Sequence, residues 1–283
     1  MVKLRYFVVA LLLPLIGCKI DPGGFFIGTS SPTTRFHESQ SMTHDRPLPA
    51  VKVGKSYSFL LGSDLHYKGD GNRLHQFMLA AKAKPYAFVA HLGDLQKVKT
   101  DPLAVLRDSI VANEIAPFYH VVGNHDLYDD QCDDYFEIYG PTVYYYVLEG
   151  EGYKDLFVVL DTANGNMQSD QIGWLEQLLR DQRAAHRHCF IFTHNNFFRL
   201  DASFALTALL PKEELYRLTA LFAQYHVDHV VMGHVHKYSQ IALRSVTYTT
   251  LTTMQTDNPD GALYAFHCDA DGAIRFEQFP LDP

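Results

Sequence analysis

Five times along this chain an apolar run stops abruptly at a small group of acids, histidines or asparagine. Tyr57 to Gly62 leads into Ser63-Asp64-Leu65-His66, and Tyr86 to Leu92 into Gly93-Asp94. Phe118 to Val122 leads into Gly123-Asn124-His125-Asp126, Ile191 to Thr193 into His194, and Val227 to Met232 into Gly233-His234-Val235-His236. Helical spacing appears between the runs. Leu74, Phe77, Met78 and Ala81 share a face of Arg73 to Ala83, and Pro102 to Ile115 reads as a second helix. Asp170 to Arg183 and Lys212 to Tyr225 repeat the pattern. Strands alternating with helices imply a parallel sheet with crossover connections. Such sheets bind ligands at the carboxyl ends of their strands, so the clusters ending the first three strands should converge.

Taken singly, each cluster is weak. Asp-x-His is common in turns, Gly-Asp in loops, and an Asn/Asp turn after a strand is ordinary loop chemistry. The ordered set is different. Its donors are carboxylate, imidazole and amide, with no thiolate, a combination that suits manganese, iron or zinc better than copper(I). In an extended Asp-x-His or His-x-His both side chains point the same way and reach one centre. The glycines beside Asp94, Asn124 and His234 permit close backbone approach or a sharp turn.

This set resembles the calcineurin-like metallophosphoesterases, whose motifs read D-x-H, G-D, G-N-H-D/E, H and G-H-x-H. The resemblance runs from about Tyr57 to Val246. Asp161, closing the strand Phe157 to Asp161, and Gln171-Ile172-Gly173-Trp174-Leu175 are further echoes. It implies an α/β fold, a four-layer αββα sandwich of two stacked mixed sheets flanked by helices. It also implies two divalent or trivalent metal ions (manganese, iron or zinc). Asp64, His66 and His236 would hold one ion, Asn124, His194 and His234 the other, and Asp94 would bridge them. Two such ions, about 3.5–4 Å apart, clamp a phosphoryl group and activate a bridging hydroxide as nucleophile. His125 would act on the leaving oxygen, and Asp126 would support it by holding the loop. The substrate would be a small phosphate ester, monoester or diester.

The chain also departs from the family. Gly93-Asp94 is followed by Leu95-Gln96-Lys97, with neither the tyrosine of purple acid phosphatases nor the acid that many relatives carry there. His125 therefore lacks an evident partner. Asn195-Asn196 follows His194 in place of a frequent His/Gln-Pro, and Asn195, Asn196, Lys97 and Tyr67 become candidate substrate neighbours. His91, His120 and His188 read as buried groups rather than ligands. Trp174 reads as core, and the acidic stretch around Asp129 to Asp134 as a solvated short helix. A metallo-β-lactamase-like enzyme would need an H-x-H-x-D-H run, which is absent. A metal- or phosphate-binding protein on the same fold, without turnover, is the rival from another class. The complete set of seven ligand types argues against it.

Upstream, Met1 to Arg5 is basic and Tyr6 to Ile16 apolar but short for a bilayer span. Leu15-Ile16-Gly17-Cys18 then resembles a bacterial lipoprotein signal, with residues 1–17 removed and Cys18 acylated. An acyl chain tethers a protein to a membrane without crossing it. The expected location is the cell envelope, on the periplasmic face or the outer membrane, which Lys19 after the cysteine favours. Residues 18–50, rich in Gly, Ser and Pro and without lasting periodicity, read as a tether or wrapping segment, and 51–283 as the phosphoesterase domain. Beyond the last motif the chain reads as a second, largely antiparallel sheet. The net charge of −8 argues against grip on long nucleic acids. Cys132, Cys189 and Cys268 match no zinc spacing.

Overall fold

The computed structural model describes residues 30–282, apart from 70, 97–102, 116, 129, 201–205 and 209. Cys18, the signal segment and Lys97 lie outside the described residues. In chain order come α1 (Pro32–Thr43), β1 (Val51–Lys52), β2 (Tyr57–Gly62), α2 (Asn72–Ala83), β3 (Phe88–His91), α3 (Val105–Ala112), β4 (Phe118–His120) and α4 (Cys132–Tyr139). They are followed by β5 (Tyr144–Gly150), β6 (Tyr153–Val159), α5 (Gln168–Gln182), β7 (Cys189–Phe192), β8 (Phe198–Leu200), β9 (Leu206–Ala208) and α6 (Lys212–Gln224). Last come β10 (His229–Met232), β11 (Ser239–Leu243), β12 (Val246–Thr250), β13 (Ala262–Cys268) and β14 (Ile274–Pro280).

Among the described residues the strands form a seven-stranded sheet ordered β1-β5-β6-β7-β10-β12-β11, a five-stranded sheet ordered β14-β13-β2-β3-β4, and the β8-β9 hairpin. The two large sheets stack face to face with helices outside, giving the four-layer αββα sandwich. The period of two along each strand dictates this. Phe59, Leu61, Phe157, Val159, Phe190 and Phe192 point between the sheets. Their neighbours Leu156, Val158, Cys189 and Ile191 face α5 and α6, while Leu60 and Val89 face α2 and α3. Because both faces are covered, the strands are continuous apolar runs rather than alternating ones. Phe59 joins the halves. It stacks on Phe88 and Phe266 of its own sheet and meets Phe157 and Phe190 of the other edge-on, with centroids 5.5 and 5.4 Å away.

The structure differs from the sequence reading in three places. Part of the segment read as a tether or wrapping segment is helix α1, for which no periodicity was seen, with Ser31 as N-cap accepting from the Thr34 amide and Pro32 in the first turn. Its buried stripe is Pro32, Arg35, Phe36 and Ser39, a helical spacing built on an arginine and a serine. The C-terminal strands make no sheet of their own. β12 runs parallel to β10 and carries β11 beyond it, while β13 pairs with β2 and carries β14. In α4, Asp133 and Asp134 are exposed, but Tyr135 is fully buried and its hydroxyl lies 2.8 Å from His120 Nδ1. Trp174 packs against Phe36 of α1 and Tyr145. All three described cysteines are free and buried.

Candidate metal centre

The parallel pairings β2–β3–β4 and β7–β10 bring five strand ends to one edge. The turns there are laced by main-chain bonds. Asp64 N donates to Gly93 O at 2.9 Å, His66 N to Asp94 O at 3.0 Å, and Gly233 N to His194 O at 2.9 Å. Two bonds cross between the sheets. His234 N donates to both Asp64 oxygens at 3.1 and 3.0 Å, and His194 Nδ1 lies 2.6 Å from Leu92 O. The site is thus part of what registers one sheet on the other.

The side chains converge on the Asp94 carboxylate. Its Oδ2 lies 3.2 Å from His194 Nε2, 3.7 Å from His66 Nε2 and 3.9 Å from His125 Nε2. Asp64 Oδ1 lies 3.1 Å from His236 Nε2, which is 3.0 Å from His66 Nε2. Donor atoms group within 4.8 Å of one another as Asp64, His66 and His236, as Asp94, His194 and His234, and as His66, Asp94 and His125. Asn124 Oδ1 is buried with no hydrogen-bond partner, while its Nδ2 donates to the Tyr128 hydroxyl at 3.4 Å.

This arrangement calls for cations. With Nδ1 held by Leu92 O, His194 turns its Nε2 toward a carboxylate oxygen. Burial would lower the His194 pKa, but Asp94 and Asp64 outweigh it and raise it to about 10. Burial would likewise raise the Asp94 carboxyl, yet His194, His125 and His66 hold it well below its usual range. Positive charge is wanted between these atoms, and the amide oxygen of Asn124, beside His125 in the chain, is buried without a partner. The residues fit a pair of metal ions.

The backbone is bent to achieve this. Asp64, His66, Asp94, His234 and His236 all have positive φ, between 44° and 68°. Such conformations cost non-glycine residues about 1–3 kcal/mol each and persist where surroundings impose them, often at functional sites. Gly123 and Gly233 show why the motifs need glycine. A Cβ at Gly123 would sit 2.2 Å from Asp94 Oδ1, and one at Gly233 would sit 2.7 Å from Asp64 Oδ2.

His125 opens a short 3-10 turn and remains partly accessible. Its amide donates to Asp94 Oδ1 at 2.9 Å, and its ring meets His66 and Tyr128 at 4.7 and 4.4 Å. Gln96 Nε2 donates to His125 O at 3.1 Å and also bonds Gln131. Tyr128 and Gln96 are thus the neighbours that hold His125. Sequence reasoning missed both, although Tyr128 lies just past the Gly-Asn-His-Asp turn.

Asp126 does not face the cleft. It is fully buried and accepts from the amides of Gly123, Asp94 and Leu95 at 2.8, 3.0 and 2.7 Å. It ties the Gly-Asp and Gly-Asn-His-Asp turns together and is a positioning residue. Asn196 is likewise used up, bonding Thr250 and accepting from Phe198 N. Asn195 stays half-buried, with its amide donating to Thr162 Oγ1, and Tyr67 bridges to Gln96. His91, His120 and His188 are buried outside the donor groups.

A family model described as calcineurin-like phosphoesterase matches residues 57–238. The chain belongs to this family. Its fold resembles that of a dimetal phosphatase from Danio rerio, with TM-score 0.58 and 13% identity over 80% of this chain and 99% of that one. It also resembles GAP50, the anchor in the inner membrane complex of Plasmodium, at 0.56 and 13% over 81% and 90%. A third likeness is to a putative 5'-nucleotidase from Staphylococcus aureus, at 0.54 and 14% over 81% and 55%. At these identities the likeness is one of fold. A search of curated proteins finds no match.

Proposed function

We propose that this calcineurin-like phosphoesterase is a dinuclear, metal-dependent hydrolase of phosphate esters. The observation carrying this is the convergence of three imidazoles on one oxygen of the buried Asp94 carboxylate, 3.2 to 3.9 Å away. Asp64, His66 and His236 would hold one ion, Asn124, His194 and His234 the second, and Asp94 both. Manganese, iron and zinc suit this donor set. Bound there, two ions supply positive charge to the phosphoryl oxygens and ionise a water near neutral pH.

The chain's own residues do the rest. Leu92 O fixes the His194 ring, and Tyr128 fixes the Asn124 amide, leaving Oδ1 as the free acceptor. His125, beside the ligand cluster but open to solvent, would donate a proton or hydrogen bond to the leaving oxygen. Its Nε2 is the group to follow. In His125→Ala the metal content should be retained while kcat falls about 10²–10⁴-fold, most for poor leaving groups. Parental turnover of every ester would remove His125 from the mechanism.

The cell-envelope location through an acylated Cys18 belongs to the same proposal, supported by the Leu15-Ile16-Gly17-Cys18 pattern. Two acidic and four imidazole donors accompany the orphaned Asn124 oxygen, so none of the family's seven ligand positions is lacking. That weighs against the non-catalytic binding protein. Reconstitution with each of the three metals, followed by assay on a phosphomonoester and a phosphodiester, separates the two readings. Inertness throughout would favour binding.

A further inference from the structure

We propose that two buried threonines, Thr162 and Thr253, are positioning residues of the metal centre, each bracing one of the two ions. This rests on the dinuclear reading above. It adds what holds the ligand-bearing turns in place where the strand ladders stop.

Thr162 serves His194. The ladder between β6 and β7 closes with Leu160 N donating to Phe192 O at 2.9 Å. Beyond it the chain rolls toward β10, since Thr193 N donates to Val231 O at 3.1 Å and Gly233 N to His194 O at 2.9 Å. On the β6 side the Thr162 hydroxyl supplies the next hold. It accepts from Asn195 N at 2.9 Å and lies 2.7 Å from Thr193 Oγ1. The two residues that flank His194 are thus tied to one hydroxyl. Thr162 follows Asp161, whose carboxylate pairs with the buried Arg35 of α1 at 2.7 and 2.9 Å. The Asp161 main chain is fixed separately, its N–H donating to Gln171 Oε1 and its carbonyl accepting from Gln171 Nε2, each at 2.9 Å.

Thr253 serves Asp64 on the same plan. Its hydroxyl accepts from Gln255 N at 2.9 Å and donates to Asp64 O at 2.6 Å. Thr253 lies where the chain crosses between the sheets, after Leu251 N on Met232 O and before Met254 N on Ser63 O, both at 2.8 Å. Asp64 has a φ of 54°, a conformation that its surroundings must impose. Thr162, Thr193 and Thr253 are all fully buried. A hydroxyl in such a place is unfavourable unless it is bonded, and valine has nearly the same shape. What the hydroxyls add is their grip on the ligand turns.

The two ions differ in what they need. The Asp64 ion has a carboxylate of its own beside the shared Asp94. The His194 ion has an amide and two imidazoles beside it, all neutral donors, so its hold depends more on placement. Groups that orient metal ligands typically carry about 10–100-fold of a metal's affinity.

The test titrates manganese into the full-length protein, stripped of metal, by calorimetry. Asn124→Ala and Asp64→Asn assign each binding step to its ion. We expect Thr162→Val to weaken uptake of the His194 ion about 10–100-fold and to leave the Asp64 ion in place. Thr253→Val should weaken chiefly the Asp64 ion. Thr162→Ser and Thr253→Ser, which keep the hydroxyl, should restore parental binding. A general loss of stability would not divide the ions in this way. Amide hydrogen exchange gives a second readout with both threonines intact. In Asn124→Ala, loading the Asp64 ion should slow exchange of the Gln255 amide and leave that of Asn195 unchanged. Valine variants that weaken the same ion, or that leave both affinities parental, overturn this inference alone, as does slowing of both amides in Asn124→Ala. Uptake of fewer than two ions by the parent protein overturns the dinuclear reading and this one with it.

Discussion

Around Asp161 and around Asp94, one edge of the same sandwich holds two buried polar clusters built on opposite plans. At Asp161, Arg35 finds a carboxylate, an amide oxygen and a main-chain carbonyl, and Gln171 exchanges hydrogen bonds with the Asp161 backbone. At Asp94, imidazoles crowd one oxygen and the Asn124 oxygen has no partner. A closed network is complete as it stands and holds the chain together. An open one is complete only with a ligand, and the fold maintains it against its own preference. The contrast separates a structural use of burial from a chemical one, although both use ordinary polar residues.

The sharpest way to break the comparison is Asp94→Asn. It should remove both metal ions and abolish hydrolysis while leaving the chain folded, as judged by circular dichroism and metal analysis. A variant with both ions still bound would sink the bridging role. Arg35→Ala should do the reverse. Leaving Asp161 buried and unpaired costs about 3–5 kcal/mol, read from urea unfolding, while the surviving folded protein keeps its ions. Replacing the pair together, as Arg35→Met with Asp161→Leu, should recover much of that loss. If the double variant is as unstable as Arg35→Ala, the cluster does more than satisfy itself.

His229 gives a smaller and finer test, being buried away from the metal centre, with burial outweighing the pull of Asp228. It packs on Phe266 and bonds Thr249 Oγ1 at 2.7 Å, and burial lowers its pKa to about 4. The unfolded value is about 6.5. Between these values the unfolded chain binds a proton that the folded chain refuses, so stability falls as pH drops through 6.5 and levels off near 4. The expected loss from this residue is about 2 kcal/mol between pH 7 and pH 5. Urea unfolding at both pH values checks it, and His229→Gln should flatten the slope.

These differences also explain what was legible. The candidate ligands stood out because each follows an apolar strand, and strands covered on both faces announce themselves as continuous runs. Their alternation with helices pointed to a parallel sheet with crossovers, and the resemblance to the phosphoesterases supplied the second sheet of the sandwich. Helix α1 stayed hidden because the stripe it buries is centred on Arg35 and Ser39, and apolar periodicity is blind to a helix docked through a buried ion pair. The sheet membership of β11 to β14 was not legible for another reason. Val246 to Thr250 fits a pleated surface equally well against any strand, and only distant pairing with β10 selects one. The reach of Asp126 was not legible either, because the Asp94 and Leu95 amides that it accepts from lie 32 and 31 residues away in sequence.

The Arg35–Asp161 pair has a last consequence, in time rather than space. Its partners lie 126 residues apart. At about 5–20 residues per second, Arg35 leaves the ribosome roughly 6–25 s before Asp161 does. A 12-residue helix is marginal alone in water, so nothing local keeps α1 formed during that interval. Helix α1 is therefore among the later helices to settle. Nascent chains halted before Asp161 should be cut by protease near Arg35, and chains halted well past it should resist.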